Sequence, residues 1–310
     1  RSSSHGPAPS RICVCRIAVR WAKATRPGIT LLKTLLTVVA ALIAIYLLLL
    51  AFYALKQRSL IYYPATVSLE LARQQAVALG ATPWIGPDGQ WWGWTREAAG
   101  AHPEALPKRA LVFHGNAGMA LNRGYYAGLL AGFDESGPWS VYVFEYPGYG
   151  PRSGEPGEEA FARAADAAVD QLLAEAATPL LILGESLGSG VAAGVAHRRP
   201  EAVDALVLVT PFDSLVHVAR HHMPWLPAGW LLRDRYDNLD ALKAFDKPLV
   251  VVTAGRDTII PPHRAEPLVQ QHTGDVLHST QPQAGHNTMR FAPDHPPWQA
   301  VDRFLATTVD

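Results

Sequence analysis

Three side chains scattered over a hundred positions of this sequence could together run nucleophilic chemistry. The first is Ser186, in Gly184-Glu185-Ser186-Leu187-Gly188. This G-x-S-x-G pattern follows the apolar run Leu180–Leu183 and precedes a small-residue stretch from Ser189 to Ala196. A strand, a tight turn and a helix in that order hold a serine in a strained backbone position and lift its hydroxyl clear of the sheet edge. The flanking glycines let neighbouring backbone pass closely. A serine hydroxyl is a weak nucleophile until a base takes its proton, and the base needs a carboxylate to fix its tautomer. After a turn of this kind the acid comes next in the chain and the histidine last. Asp257 lies just past the apolar run Leu249–Thr253, and His286 lies in Gln283-Ala284-Gly285-His286-Asn287, after the last expected strand. Both sit at C-terminal strand ends, where open α/β sheets bind ligands. Taken singly, Asp257 reads as a turn or cap residue and His286 as a surface histidine. The order of all three residues is what favours a proton relay. Asp213 also follows a strand and is the competing acid.

Charge developing on a substrate oxygen needs donors. The backbone N–H of Leu187 is one. The other is expected from the loop Phe113-His114-Gly115-Asn116-Ala117-Gly118, at the N–H of Asn116. No metal or other cofactor is expected. His114 has no second ligand at suitable spacing, and His221 and His222 are adjacent rather than one helical turn apart. No Gly-Lys-Ser/Thr follows the glycines, and the chain has no cysteine after Cys15.

Placing these residues requires a strand–helix alternation, and the sequence has one. Strands are expected at Gln90–Thr95, Arg109–Phe113, Ser140–Phe144, Leu180–Leu183, Ala205–Val209, Leu249–Thr253 and Val276–Ser279. Helices are expected at Ser68–Ala78, through Tyr125–Leu130, at Glu158–Ala176 and at Ala300–Thr307. Short apolar runs without alternation are the mark of central strands buried on both faces, so the fold class is α/β with a mostly parallel sheet between helices. Trp92 and Trp94 are expected on one strand face. Residues 213–242 are too long for an ordinary loop and carry Trp225 and Trp230, which predicts a short helical lid over the site with both tryptophans as substrate-binding candidates.

The N-terminal part is of another kind. Leu35–Leu55 is a run of 21 residues with no charge, and roughly 20 apolar helical residues span a bilayer core. A signal-peptide core would be shorter and would end at a small-x-small site, which Ala51-Phe52-Tyr53-Ala54 does not supply. Residues 1–58 hold nine of the 27 Lys and Arg and no Asp or Glu, leaving 18 basic against 27 acidic residues and a formal charge of −9 for the remainder. Positive residues stay on the cytoplasmic side, which predicts a cytoplasmic N-terminus and a periplasmic or extracytoplasmic body on a single-pass anchor. An acidic body argues against a nucleic acid or other polyanion as partner. Cys13 and Cys15 lie ahead of the span, as plain reduced residues or as sites of juxtamembrane acylation. Ser59–Pro64 is expected to be extended.

The set FHGNAG (113–118), EYPGYGPRSGEP (145–156), GESLGSG (184–190), AGRDTIIPP (254–262) and AGHN (284–287) resembles the α/β-hydrolase superfamily, and within it the Bem46 group of ABHD12-, ABHD13- and ABHD17-type serine hydrolases. The segment SLIYYP after the span is similar to that group as well. The resemblance covers residues 58–310 and implies an α/β-hydrolase domain there; charge and hydropathy predict a basic, disordered cytoplasmic segment at 1–30 and an anchor at 31–57 ahead of it. It implies Ser186 as nucleophile, Asp257 as acid, His286 as base, and the Tyr146–Gly150 loop beside the pocket, with Tyr149 as a further substrate-binding candidate. The expected activity is hydrolysis of acyl esters or thioesters of small-molecule or lipid-like substrates. A peptidase of the prolyl-oligopeptidase type and a non-catalytic binding protein on the same scaffold remain the alternatives.

Overall fold

The computed structural model describes residues 27–98, 108–137 and 139–309. The basic segment up to Arg26, with Cys13 and Cys15, lies outside the described residues. The chain divides into two units between Leu49 and Leu50.

Helix α1 runs from Pro27 to Ile61. Its many Leu and Ala residues and the absence of any proline or glycine after Gly28 allow this length. Gly28–Ile61 is long and apolar enough to cross a membrane, and its side chains from Gly28 to Leu49 are exposed. Two expectations change here. Ser59, Leu60 and Ile61 are helical rather than extended, and the expected boundary between residues 57 and 58 falls inside the helix.

The second unit begins with the end of α1 and continues through α2 (Leu69–Ala78), β1 (Thr82–Ile85), β2 (Trp91–Arg96), β3 (Lys108–Phe113), α3 (Tyr125–Ala131), β4 (Trp139–Phe144), α4 (Glu158–Glu175), β5 (Leu180–Glu185), α5 (Leu187–Arg198), β6 (Ala205–Val209), α6 (Leu215–His222), α7 (Ala228–Leu231), α8 (Asn238–Ala241), β7 (Leu249–Ala254), α9 (Glu266–Gln271), β8 (Val276–Gln281) and α10 (Pro296–Thr308). Ser68 caps α2, its hydroxyl accepting the Leu71 N–H at 3.2 Å.

The strands form one eight-stranded sheet in the order β1-β2-β4-β3-β5-β6-β7-β8. The β1–β2 and β2–β4 pairs are antiparallel and all others parallel. The central strands β5, β6 and β7 are buried throughout except at half-buried Glu185, in keeping with their Leu-, Val- and Ile-rich composition. One face is covered by α4, α5 and α9 through Phe161, Val169, Val191 and Leu268. The other is covered by α2, α3 and α10 through Ala72, Tyr126, Leu130 and Trp298.

Trp92 and Trp94 do not share a face. Trp92 packs with Trp84 and Phe144 on the first face, whereas Trp94 joins Val143 and Ala120 on the second. Gly93 lies between them at φ +139°, where a β-carbon would meet the Val143 carbonyl oxygen at 1.9 Å. Only glycine adopts this conformation readily, and the irregular register beside it resets the alternation of the strand.

Candidate active site

Strand β5 and helix α5 meet at Ser186, whose backbone sits at φ +53°, ψ −117°. That region is strained for any residue with a side chain. The surroundings hold it there. Ser186 N–H donates to the Val209 carbonyl at 2.9 Å, while its own carbonyl accepts the Ser189 N–H and hydroxyl at 2.9 and 2.6 Å. A β-carbon on Gly188 would stand 2.1 Å from the Phe113 carbonyl oxygen, and one on Gly184 would stand 2.5 Å from the Gly188 carbonyl oxygen. The two glycines therefore let α5 begin directly against β3 and β5.

Past the end of β7, Asp257 is buried, with its Oδ1 accepting the N–H groups of Ile259 and Ile260 at 2.9 and 2.8 Å. Its Oδ2 lies 2.6 Å from His286 Nδ1, and His286 Nε2 lies 2.9 Å from Ser186 Oγ. The loops that carry Asp257 and His286 are tied together by the Arg256 N–H to Ala284 carbonyl bond of 2.8 Å. Asp213 is engaged elsewhere, with His217 Nδ1 at 2.8 Å and Arg264 at 3.2 Å.

The loop after β3 brings Gly115, Asn116 and Ala117 to the same cavity as Ser186, Leu187 and His286. Leu187 is the first residue of α5, so its N–H has no acceptor within the helix. The Asn116 side chain is fully used for anchoring. Its Oδ1 accepts the Tyr63 N–H at 3.1 Å and the Tyr149 hydroxyl at 2.9 Å, and its Nδ2 donates to the Ile61 carbonyl. Beneath the loop, buried His114 pairs through Nε2 with Glu145 at 3.2 Å, and Glu145 also accepts the Ala120 N–H. Arg152 donates to the Glu145 carbonyl at 2.7 Å and lies over the Trp92 and Phe144 rings; burial lowers it to about 10.

The cavity measures about 450 Å³. Beyond Ser186 its walls are mostly apolar, from Leu215, Val218, Met223, Leu226 and Leu231 of the 213–242 segment and from Ile259 and Ile260. The three pocket candidates fall elsewhere. Tyr149 is fully buried among Tyr146, Phe161 and His114, and it supports the cavity floor through Asn116 rather than lining it. Trp225 is turned to the outside, edge-on to Tyr53 at 5.5 Å, and Trp230 is 96% exposed. The segment covers the site with its aliphatic side chains and leaves its tryptophans outside.

Glu185, between Gly184 and the serine, was not singled out by the sequence. Its carboxylate accepts the hydroxyls of Tyr125 and Tyr126 at 2.7 and 3.0 Å and lies 3.3 Å from Arg123 Nε. Burial and then the neighbouring Glu185 push both phenols above their ordinary range, so they stay donors. The signal was available, because a carboxylate at the x position of the turn must find partners at the cavity edge.

A sheet of this topology with a serine on the turn from its central strand defines the α/β-hydrolases. A family model described as alpha/beta hydrolase fold matches residues 111–234. An uncharacterized protein of Mycobacterium tuberculosis is 33% identical over 259 residues, covering 82% of this chain and 88% of the relative. The lysophosphatidylserine lipase ABHD12 of Xenopus tropicalis is 30% identical over 175 residues, 51% of this chain and 45% of that protein. Among solved structures, an esterase of Pyrococcus furiosus superposes with a TM-score of 0.58 at 16% identity, covering 81% of this chain and 98% of that one; this likeness concerns the fold. The chain belongs to the α/β-hydrolase family and within it to the Bem46/ABHD12 type.

Proposed function

We propose that this protein is a membrane-anchored serine hydrolase that cleaves acyl esters or thioesters through an acyl-enzyme. The observation that carries this reading is the unbroken chain from Asp257 Oδ2 through the His286 ring to Ser186 Oγ, with steps of 2.6 and 2.9 Å, at the head of an apolar cavity. His286 Nε2 takes the hydroxyl proton as Ser186 Oγ bonds to the carbonyl carbon. The Asn116 and Leu187 N–H groups hold the negative oxygen. His286 then gives its proton to the departing alcohol or thiol as the carbon–oxygen or carbon–sulfur bond breaks. Water, deprotonated by the same histidine, releases the acid and restores Ser186. Asp257 holds Nδ1 protonated throughout, and no step calls for a metal or cofactor.

Family membership supports a hydrolase, and a relative named a lysophosphatidylserine lipase favours a lipid-like acyl substrate. The apolar walls of the cavity point the same way. In this reading the helix Gly28–Ile61 is a single-pass anchor, a role that its length and apolar composition support, and the basic residues ahead of it favour a cytoplasmic N-terminus with the catalytic body outside. Labelling with a fluorophosphonate tests the chemistry. The parent chain should label and Ser186→Ala should not; labelling of that variant would refute the assignment. Hydrolysis of p-nitrophenyl esters of graded length, set beside acyl thioesters, then separates the two substrate classes.

A further inference from the structure

One wall of the cavity comes from an unexpected element. Tyr53, Gln57, Leu60 and Ile61 all line it, and all belong to the last turns of α1. Their spacing of four, three and one places them on a single helix face. Leu55, between them in sequence, is 79% exposed and does not line the cavity.

Gln57 is the polar member of this wall and is only 5% exposed. A buried amide is costly unless its hydrogen bonds are made. Here Nε2 donates to the Ala54 and Leu231 carbonyls at 2.9 and 3.2 Å, and Oε1 accepts the Arg233 N–H at 2.7 Å. The amide is thereby spent on the loop after α7 and presents little to a ligand. Two further links act beside it. Asp234 accepts the Tyr62 hydroxyl at 2.9 Å and pairs with Arg58 Nε at 3.3 Å, and the Tyr62 and Tyr236 hydroxyls are 2.9 Å apart. A helix end, which would otherwise fray, is latched to the segment that roofs the site through Gln57 and Arg58 of its last turns and through Tyr62, the residue that follows it.

We propose that these last turns of α1 set the acyl-chain length the enzyme accepts, with Leu60 against the chain and Gln57 positioning the wall. The inference rests on Ser186 being the nucleophile. The ligand class is a single unbranched aliphatic chain. Ser186 with His286 and Glu185 with Arg123 form two close polar pairs in the lining, His222 Nε2 is occupied by the Ile259 carbonyl, and the wall from α1 is chiefly hydrocarbon with its one amide occupied. The helix end is held to residues 231–236 by side-chain bonds and to the Asn116 loop through the Ile61 carbonyl, so the ratio between chain lengths, rather than the absolute rate, reports on the wall.

The full chain in detergent or nanodiscs is assayed on p-nitrophenyl butyrate, octanoate, laurate and palmitate. Leu60→Trp should lower the palmitate-to-butyrate ratio of kcat/KM by about tenfold or more, a change of about 1.4 kcal/mol in relative transition-state binding. Leu60→Ala, which removes volume and keeps the helix, should move the ratio the other way. Leu55→Trp on the outer face should leave the ratio as in the parent. Gln57→Ala should raise KM for the laurate ester more than it lowers kcat. Ratios for both Leu60 variants within about twofold of the parent, or an equal shift from Leu55→Trp, overturn the proposal. Hydrolysis surviving in Ser186→Ala would instead remove the reading beneath it, a result distinct from any change in the ratio.

Discussion

Tyr149 and Asn116 are joined by a hydrogen bond of 2.9 Å, phenol hydroxyl to amide oxygen, on the buried side of the loop whose other side faces Ser186. The asparagine is thus held by its side chain, which would fix its backbone N–H in the proposed donor role. Tyr149→Phe removes one hydrogen bond and leaves a buried acceptor with one partner fewer. It should cost about 0.5–1.5 kcal/mol of stability and lower kcat by about tenfold with KM little changed. Asn116→Ala releases the Tyr63 and Ile61 links as well and should lower kcat further. Steady-state kinetics with a parallel thermal melt check both; a change in KM alone would mean that the loop does not position a donor.

Asp257 has two separable duties. Its Oδ1 closes the turn onto Ile259 and Ile260, and its Oδ2 faces His286. Asp257→Asn keeps the first and reverses the second, since an amide N–H now meets Nδ1 and selects the wrong tautomer. The expected loss in kcat is about 10⁴-fold, with the fold retained. A Tm near that of the parent together with this loss is the signature; an active Asn variant would assign the acid elsewhere.

Gly188 carries the backbone of α5 past the Phe113 carbonyl. Gly188→Ala places a methyl where an oxygen stands 2.1 Å away and both partners are main chain. The overpacking should cost about 1–3 kcal/mol or more, read as a lower Tm and a lower urea midpoint. Gly89→Ala, with open space around it but φ +75°, should cost about 1 kcal/mol and leave activity intact.

His272 and His278 are held below the usual histidine value of 6.5, chiefly by burial. Both are neutral in the folded protein and take protons more readily once unfolded. Stability is therefore greatest above about pH 6.5 and falls as the pH drops through their lowered values. The double variant His272→Gln/His278→Gln should show a flatter dependence of Tm on pH between about 7.5 and 5. Neither residue lines the cavity, so the pH profile of kcat should be unchanged.

How much of this was legible beforehand follows from where the physics is local. Strands β3, β5, β6 and β7 announce themselves because a strand buried on both faces must be an apolar run, and Ser186 because its turn demands glycines two residues away on either side. Ser186, Asp257 and His286 come together for the same reason, since strand ends put them on one edge. Other features depended on long-range partners. Ser59–Ile61 stays helical in company with the bonds that Gln57, Arg58 and Tyr62 make to residues 231–236, more than a hundred and seventy positions away. Trp92 and Trp94 split across the sheet because one glycine reset the alternation. The resemblance puts Tyr149 beside the pocket, and the length of the 213–242 segment puts Trp225 and Trp230 over it. The cavity is lined by other residues, mostly aliphatic, while Tyr149 is buried beneath it and Trp225 and Trp230 do not line it.

The backbone of Ser186 has a last consequence. Holding a serine at φ +53° costs on the order of 1–3 kcal/mol, which the fold bears for the sake of one hydroxyl. A glycine at that position would relieve the burden, so the inert Ser186→Gly chain should outlast its parent on heating. A descendant freed from turnover would drift towards that replacement, and its greater hardiness would record the activity it had given up.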